Sequence, residues 1–347
     1  MSTTTAPGSA PAVVRRRSVS TRVVWVAVAI ALTVLVALAS VAFGTRVVGW
    51  HDVVEGVTGG DANVAQAAVN KRVPRTLLAL LVGASLGLAG AVMQGVTRNP
   101  IADPGILGVS TGASLAVVTG IVFFGLSAPS SYIWVAISGA ALSAAFVYTI
   151  GSMGRGGATP LKLALSGAAT AAALSSLVSA LLLPRADVMQ TFQFWQIGGV
   201  GGASYDRMGQ VLPFLVAGAV ISLLAARGLN SLALGDDVAA GLGERVVVTR
   251  MLAFVGAVVL CGAATAVAGP IGFVGLVVPH VCRLLIGIDH RWLLPMSAIV
   301  GAALLTAADV VGRVVARPEE IEVGIVTAFI GAPFFIYIVR RQKVRAL

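Results

Sequence analysis

Residues 72–113 read RVPRTLLALLVGASLGLAGAVMQGVTRNPIADPGILGVSTGA. Within this apolar run Ala79, Gly83, Gly87, Ala91 and Gly95 recur at every fourth position. One face of the predicted helix therefore carries almost no side chain, which lets a neighbouring helix approach closely, as membrane helices do. Arg72 and Arg75 around Pro74 open the predicted helix, and Arg98, Asn99 and Pro100 close it. Asp103 and Pro104 then mark a polar turn before a second apolar run, so the stretch predicts a tight helical hairpin.

The composition agrees. A 347-residue chain with 57% hydrophobic and 11% charged residues and mean hydropathy +0.95 lacks the quarter or so of charged residues that a soluble domain carries. The net charge of +10 falls mostly in short gaps between apolar runs, where retention on the cytoplasmic side explains it; no nucleic-acid partner is expected. Cys261 and Cys282 both lie in apolar stretches and read as small packing residues, not as a disulfide or a metal site.

Along the chain, residues 1–21 are rich in Ser, Thr, Ala and Pro and carry Arg15, Arg16 and Arg17, which predicts a disordered cytoplasmic tail. The run at 23–44 is long enough to span a bilayer; Ala37 and Ala39 offer a cleavage pattern, but the run exceeds an ordinary signal core. A polar loop is expected over 45–71, and spans over 74–97, 104–126, 131–150 and 161–183. A loop is expected over 184–207, then spans at 208–227 and 247–268, a proline-broken apolar region through Pro270 and Pro279, and spans at 292–312 and 323–339. The expected fold is an all-α integral membrane protein of about ten transmembrane helices, a permease domain over 22–340 with short tails at 1–21 and 341–347.

With both termini inside, 16 Lys and Arg fall on the cytoplasmic side and 8 outside, the bias that orients membrane proteins. Arg72, Arg75 and Arg313 run against it. As basic residues at the far surface they read either as headgroup anchors or as a rim that steers a charged partner.

The segment 228–246 is the most informative polar stretch. Asp236 is expected to cap a short helix in which Val238, Ala239 and Leu242 share a face, ended by Gly241 and Gly243. A helix this short is unstable alone and needs a groove in a partner. The span at 161–183 shows small residues on two adjacent rows: Ala164, Ala168, Ala172 and Ser176, and Gly167, Ala171, Ser175 and Ser179. These fit either close packing or a slim helix beside a substrate path or dimer axis.

Catalytic chemistry finds little support. No phosphate-binding Gly-rich loop precedes Lys71, Lys162 or Lys343, and His51, His280 and His290 stand apart in sequence. An ion-gradient-driven secondary transporter needs ionisable groups inside the membrane, and Asp309 beside Arg313 is the one candidate. A membrane-embedded enzyme needs a buried nucleophile and base that cannot be assembled.

The motif RxPR followed by GAxLxxxGxxxQxxxRNPxADPxxLGxxxGA at 72–113, and GPIxFVGLxxPHxxRxxxGxDHRxLLP at 269–295, resemble the FecCD-type permeases, the membrane subunits of ABC importers for iron-siderophores, haem and cobalamin. The likeness runs over about 23–340. It implies the type II ABC importer permease architecture in a bacterial plasma membrane, pairing as a homodimer or with a paralogue. It also implies two cytoplasmic ATPase subunits, which use ATP and Mg while this chain binds no cofactor, and an extracytoplasmic substrate-binding protein. The pattern LGxxVAxxLG implies that Leu234, Gly235, Asp236, Asp237, Val238, Ala239, Ala240, Gly241, Leu242 and Gly243 form the helix coupled to the ATPase. It further implies that Arg72, Arg75 and Arg313 meet acidic residues of the binding protein, and that the small-residue helix at 161–183 lines the path between two subunits. Glu322 stands where the family commonly has proline.

Overall fold

The computed structural model describes residues 18–126, 129–154 and 159–341. The tails expected at 1–21 and 341–347 lie almost entirely outside these residues. The described chain is helical, because in hydrocarbon every backbone N–H and C=O must find its partner within the segment. Seven helices are long and apolar enough to cross a membrane: α1 (Val19–Ala42), α3 (Val64–Thr97), α5 (Pro129–Ser152), α6 (Pro160–Leu182), α8 (Tyr205–Leu224), α11 (Val246–Ala268) and α13 (His290–Val315). Three shorter apolar helices lie where the remaining three of the ten spans are expected: α4 (Val109–Phe124), α12 (Val274–Ile286) and α14 (Val323–Arg341). The remainder are short connectors, α2 (Trp50–Val57), α7 (Ala186–Ile197), α9 (Ala226–Leu232) and α10 (Asp236–Gly241), with a 3-10 turn at Pro104–Leu107 whose first N–H groups Asp103 caps.

The central element is α3, 34 residues long and so roughly 50 Å from end to end. It is packed by α13, α11, α12 and α8. Its bare face is covered at backbone distance: a Cβ on Gly83 would meet the Gly301 carbonyl, one on Gly87 the Ser297 carbonyl, and one on Gly90 the Gly275 carbonyl. Across such a face dispersion between backbones, unobstructed by side chains, supplies the attraction. Cys261 and Cys282 are buried and free.

Three expectations need correction. The helix does not open at Arg72; it begins at Val64, because Asn63 accepts the Gln66 N–H at 2.9 Å and caps it there. Arg72 and Arg75 are therefore a full two turns inside α3, and the loop expected at 45–71 holds α2 as well. The loop expected at 184–207 likewise holds α7, stabilised by burial of Phe192 against Trp195, ring centroids 5.8 Å apart. Of the two prolines only Pro270 lies in unwound chain, over 269–273, where Gly269 adopts φ 71 and packs on the Trp195 carbonyl; Pro279 sits within α12, which ends at Ile286.

The bundle has two distinct ends. One gathers the start of α1, the end of α3, α9, α10 and the start of α13, as the Arg22–Asp289 and Arg98–Asp236 pairs show. The other gathers the end of α1, α2, the start of α3 and the end of α13.

Candidate functional site: the short helix α10 and the charged cluster opposite it

Glycine geometry builds α10. Gly235 precedes it at φ 108 and Gly243 follows at φ 84, conformations that side chains disfavour, so both boundaries are fixed by residue type. The helix and its flanking residues have two faces. Leu234, Val238 and Leu242 are 61%, 52% and 66% exposed, whereas Ala239 is fully buried against the bundle. Asp237, Ala240 and Gly241 are exposed with the first set. The shared face expected for Val238, Ala239 and Leu242 is thus corrected: a one-and-a-half-turn helix resting on the bundle must turn something inward, and the smallest side chain does so.

Asp236 is not a cap. No side-chain bond caps this helix. Its carboxylate instead accepts from Arg98 Nη2 at 2.6 Å and from Arg250 Nη2 at 2.8 Å through both oxygens, joining α10 to the end of α3 and the start of α11. The neighbouring α9 is held separately. Asn230 Nδ2 donates to Asp289 Oδ1 at 2.8 Å, and the His290 N–H donates to Asn230 Oδ1 at 2.9 Å. Burial pushes the Asp289 carboxyl up, but the Asn230 amide, the Arg291 N–H and the Arg22 and Arg291 charges outweigh it and hold the group below the ordinary range. Asp289 also caps α13 and pairs with Arg22 of α1 at 3.4 Å.

At the opposite end Arg72, Arg75 and Arg313 do come together, but inside the subunit. They are 6%, 8% and 2% exposed, which corrects the expectation of a bare basic rim. The reason is local. Helix α1 ends with carbonyls that have no intrahelical donor. Arg72 donates to those of Val41 and Ala42 and to the Arg46 carbonyl just beyond the helix, and Arg313 donates to that of Ser40 and to the C-cap carbonyl of Phe43. Asp309, 1% exposed, requires countercharge, and receives Arg75 at 2.8 Å and Arg313 at 2.8 Å. Arg75 also reaches Glu320 at 2.6 Å. Glu322 lies beside this group, packed on Gly199 with Oε2 buried and unpartnered. Burial raises its carboxyl, opposed by Arg75 and reinforced by Glu320 and Asp309.

The small residues of α6 are largely uncovered. Ala168, Ala172, Ser175, Ser176 and Ser179 are exposed, Ala164 and Ala171 half-buried, and Gly167 buried. The Ser176 and Ser179 hydroxyls donate to the carbonyls of Ala172 and Ser175 at 2.9 and 3.0 Å, so the exposed face presents little polar demand. The histidines are less isolated than their spacing suggests. His290 Nδ1 lies 2.9 Å from Asn230, His280 stacks edge-on with Phe334, and exposed His51 shares α2 with Asp52 and Glu55, ligand atoms within 4.8 Å of one another. Asn63 and Gln66 of α3 already donate to those two carboxylates.

Sequence reasoning missed Arg98, Arg250, Asn230 and Asp289 as a group. Asp309–Arg313 was legible as an i,i+4 pair; Arg98–Asp236, 138 positions apart, left no local signal.

Comparison with known proteins fits this arrangement. Residues 32–341 match the model of the FecCD transport family. The chain is 42% identical to the siderophore transport system permease protein YfiZ of Bacillus subtilis over 87% of this chain and 91% of that protein. It is 47% identical to the ferric enterobactin transport system permease protein FepD of Escherichia coli over 79% of this chain and 82% of that one. Among solved structures, a metal-chelate type ABC transporter in an inward-facing conformation superposes with TM-score 0.79 at 29% identity, covering 92% of this chain and all of that one.

Proposed function

The chain belongs to the FecCD transport family, and from that premise we propose that it carries an iron(III)–siderophore complex inward as the permease of an ATP-driven ABC importer. Two ATPase subunits seat under α10 on the cytoplasmic side, a second permease copy or paralogue covers α6, and a binding protein delivers cargo at the opposite end. Both termini then face the cytoplasm.

The observation that carries this reading is α10. Three apolar side chains stand exposed, Val238 on a six-residue helix and Leu234 and Leu242 immediately flanking it, and the helix is tied to the bundle by ion pairs. An apolar patch on a helix too short to be stable by itself is what a groove in a partner binds. When the partner moves on nucleotide binding, the helix transmits that motion, and the spans around the subunit interface open alternately to each side. Arg72, Arg75 and Arg313 contribute at the delivery end only by exchanging the partners they hold in this conformation, so their role there is to position the rim around Glu320 and to meet acidic groups of the binding protein as it settles. An ion-gradient transporter is disfavoured on a separate ground. The carboxylate that the sequence offers for that role, Asp309, is held between Arg75 and Arg313.

The test is reconstitution in proteoliposomes with the ATPase and binding protein. Labelled ferric siderophore should accumulate with ATP inside and not with a proton or sodium gradient alone. Accumulation driven by the gradient overturns the reading; accumulation of haem or cobalamin in place of the siderophore corrects the cargo.

A further inference from the structure

Helix α3 ends in a conformation that its residue does not favour. Arg98 is the C-cap, at φ 50 and ψ 29. Left-handed helix ends are usually glycine, because a Cβ there crowds the following carbonyl. Among the described residues Arg98 and Phe273 have positive φ without being glycine. A strained backbone persists when the surroundings over-determine it, and it points to a use for the side chain.

That use is visible. The guanidinium runs from the end of the central helix to Asp236, the first residue of α10, at 2.6 Å, while Arg250 of α11 holds both oxygens of the same carboxylate. The chain turns into α10 through Gly235, where φ is 108 and where a Cβ would sit 3.9 Å from Arg98 Nη1. Arg98 and Asp236 are 37% and 40% exposed. Pairs this exposed contribute little to stability, so stability does not account for retaining arginine at a glycine position.

We propose that Arg98 is a positioning residue that ties α10 to the central helix α3, so that displacement of α10 is passed into the transport path and not absorbed by the flexible Gly235 and Gly243 joints. The inference rests on the ATPase seat proposed above. The Asn230–Asp289–Arg22 set performs a separate task, holding α9 to α13 and α1, and leaves the α10–α3 connection to Arg98.

The decisive variant is Arg98→Gly, which relieves the backbone while removing the tie. The full permease is assembled with its ATPases in nanodiscs, with spin labels at exposed Val64 on the far end of α3 and Tyr205 at the start of α8. ATP–vanadate trapping should shift the label distance in the parent protein. In Arg98→Gly the melting temperature should be unchanged or higher and hydrolysis should persist, while the shift is lost; Arg98→Lys should restore at least half of it. A full shift in Arg98→Gly overturns the tie, and so does a fall in melting temperature that Lys restores without any change in the shift. Val238→Cys reports the seat independently. If it cross-links to the ATPase in the parent and the variant alike, loss or retention of the shift speaks to Arg98 alone. If it fails to cross-link in the parent, the seat itself is wrong and the inference falls with it.

Discussion

Helices α3 and α6 are written in similar letters and used in opposite ways. Both carry small residues at four-residue spacing, yet the apolar window of α3 is 78% buried within the subunit and that of α6 only 22%. On α3 the bare face meets other bare backbone, Gly301 and Ser297 of α13 and Gly275 of α12. On α6 the equivalent face looks outward, its serines bonded to their own helix. Small residues thus announce that something comes close without saying whether it is this chain or another. The difference lies in complementarity: α13 and α12 present matching glycines and a serine to α3, and among the described residues no helix does so for the outer face of α6.

The comparison can be broken most severely where α3 and α13 share charge. Asp309→Ala removes the buried carboxylate that Arg75 and Arg313 share, leaving Arg75 to Glu320 and Arg313 to neutral acceptors, and removing one partner of a buried pair costs about 3–5 kcal/mol. The purified protein should unfold at markedly lower temperature in a detergent melt. If instead it melts like the parent, the arginines are not held by Asp309. Next in size is Gly87→Leu. Its Cβ is driven into the Ser297 carbonyl, a backbone atom that cannot rotate away, so the cost should reach the upper part of the range for overpacking, about 3 kcal/mol. A yield and melting curve equal to the parent's would place that face toward lipid. Smallest is Ala172→Leu on α6, an exposed site where substitutions usually change stability by within about 0.5 kcal/mol. The isolated subunit should melt normally while the mass of the assembled transporter drops by one permease; an intact assembly would remove α6 from the subunit interface.

Much of the fold was legible in residues alone. The seven long apolar helices and the three shorter ones follow from run length and from the proline and glycine punctuation, and the end of α10 follows from Gly241 and Gly243, whereas its start at Gly235 does not. The misread stretches share one physical cause. Helices α2 and α7 and the first turns of α3 are amphipathic or polar, so they carry no hydropathy signal and depend on a cap at Asn63 or on burial of Phe192. Charge bias places the arginines outside because it describes averages over loops, whereas the carbonyls on and just after α1 that hold Arg72 and Arg313 lie 26 to 273 positions away.

What the sequence determined by itself is the class of solvent this chain accepts and where its apolar helices run, because hydrocarbon tolerates only apolar segments whose backbone bonds close within themselves. Tertiary structure alone decided which bare faces are covered, which charges are buried and that Arg98 reaches Asp236. Those depend on the approach of residues far apart in the chain, and hydropathy, a property of neighbours, is blind to it.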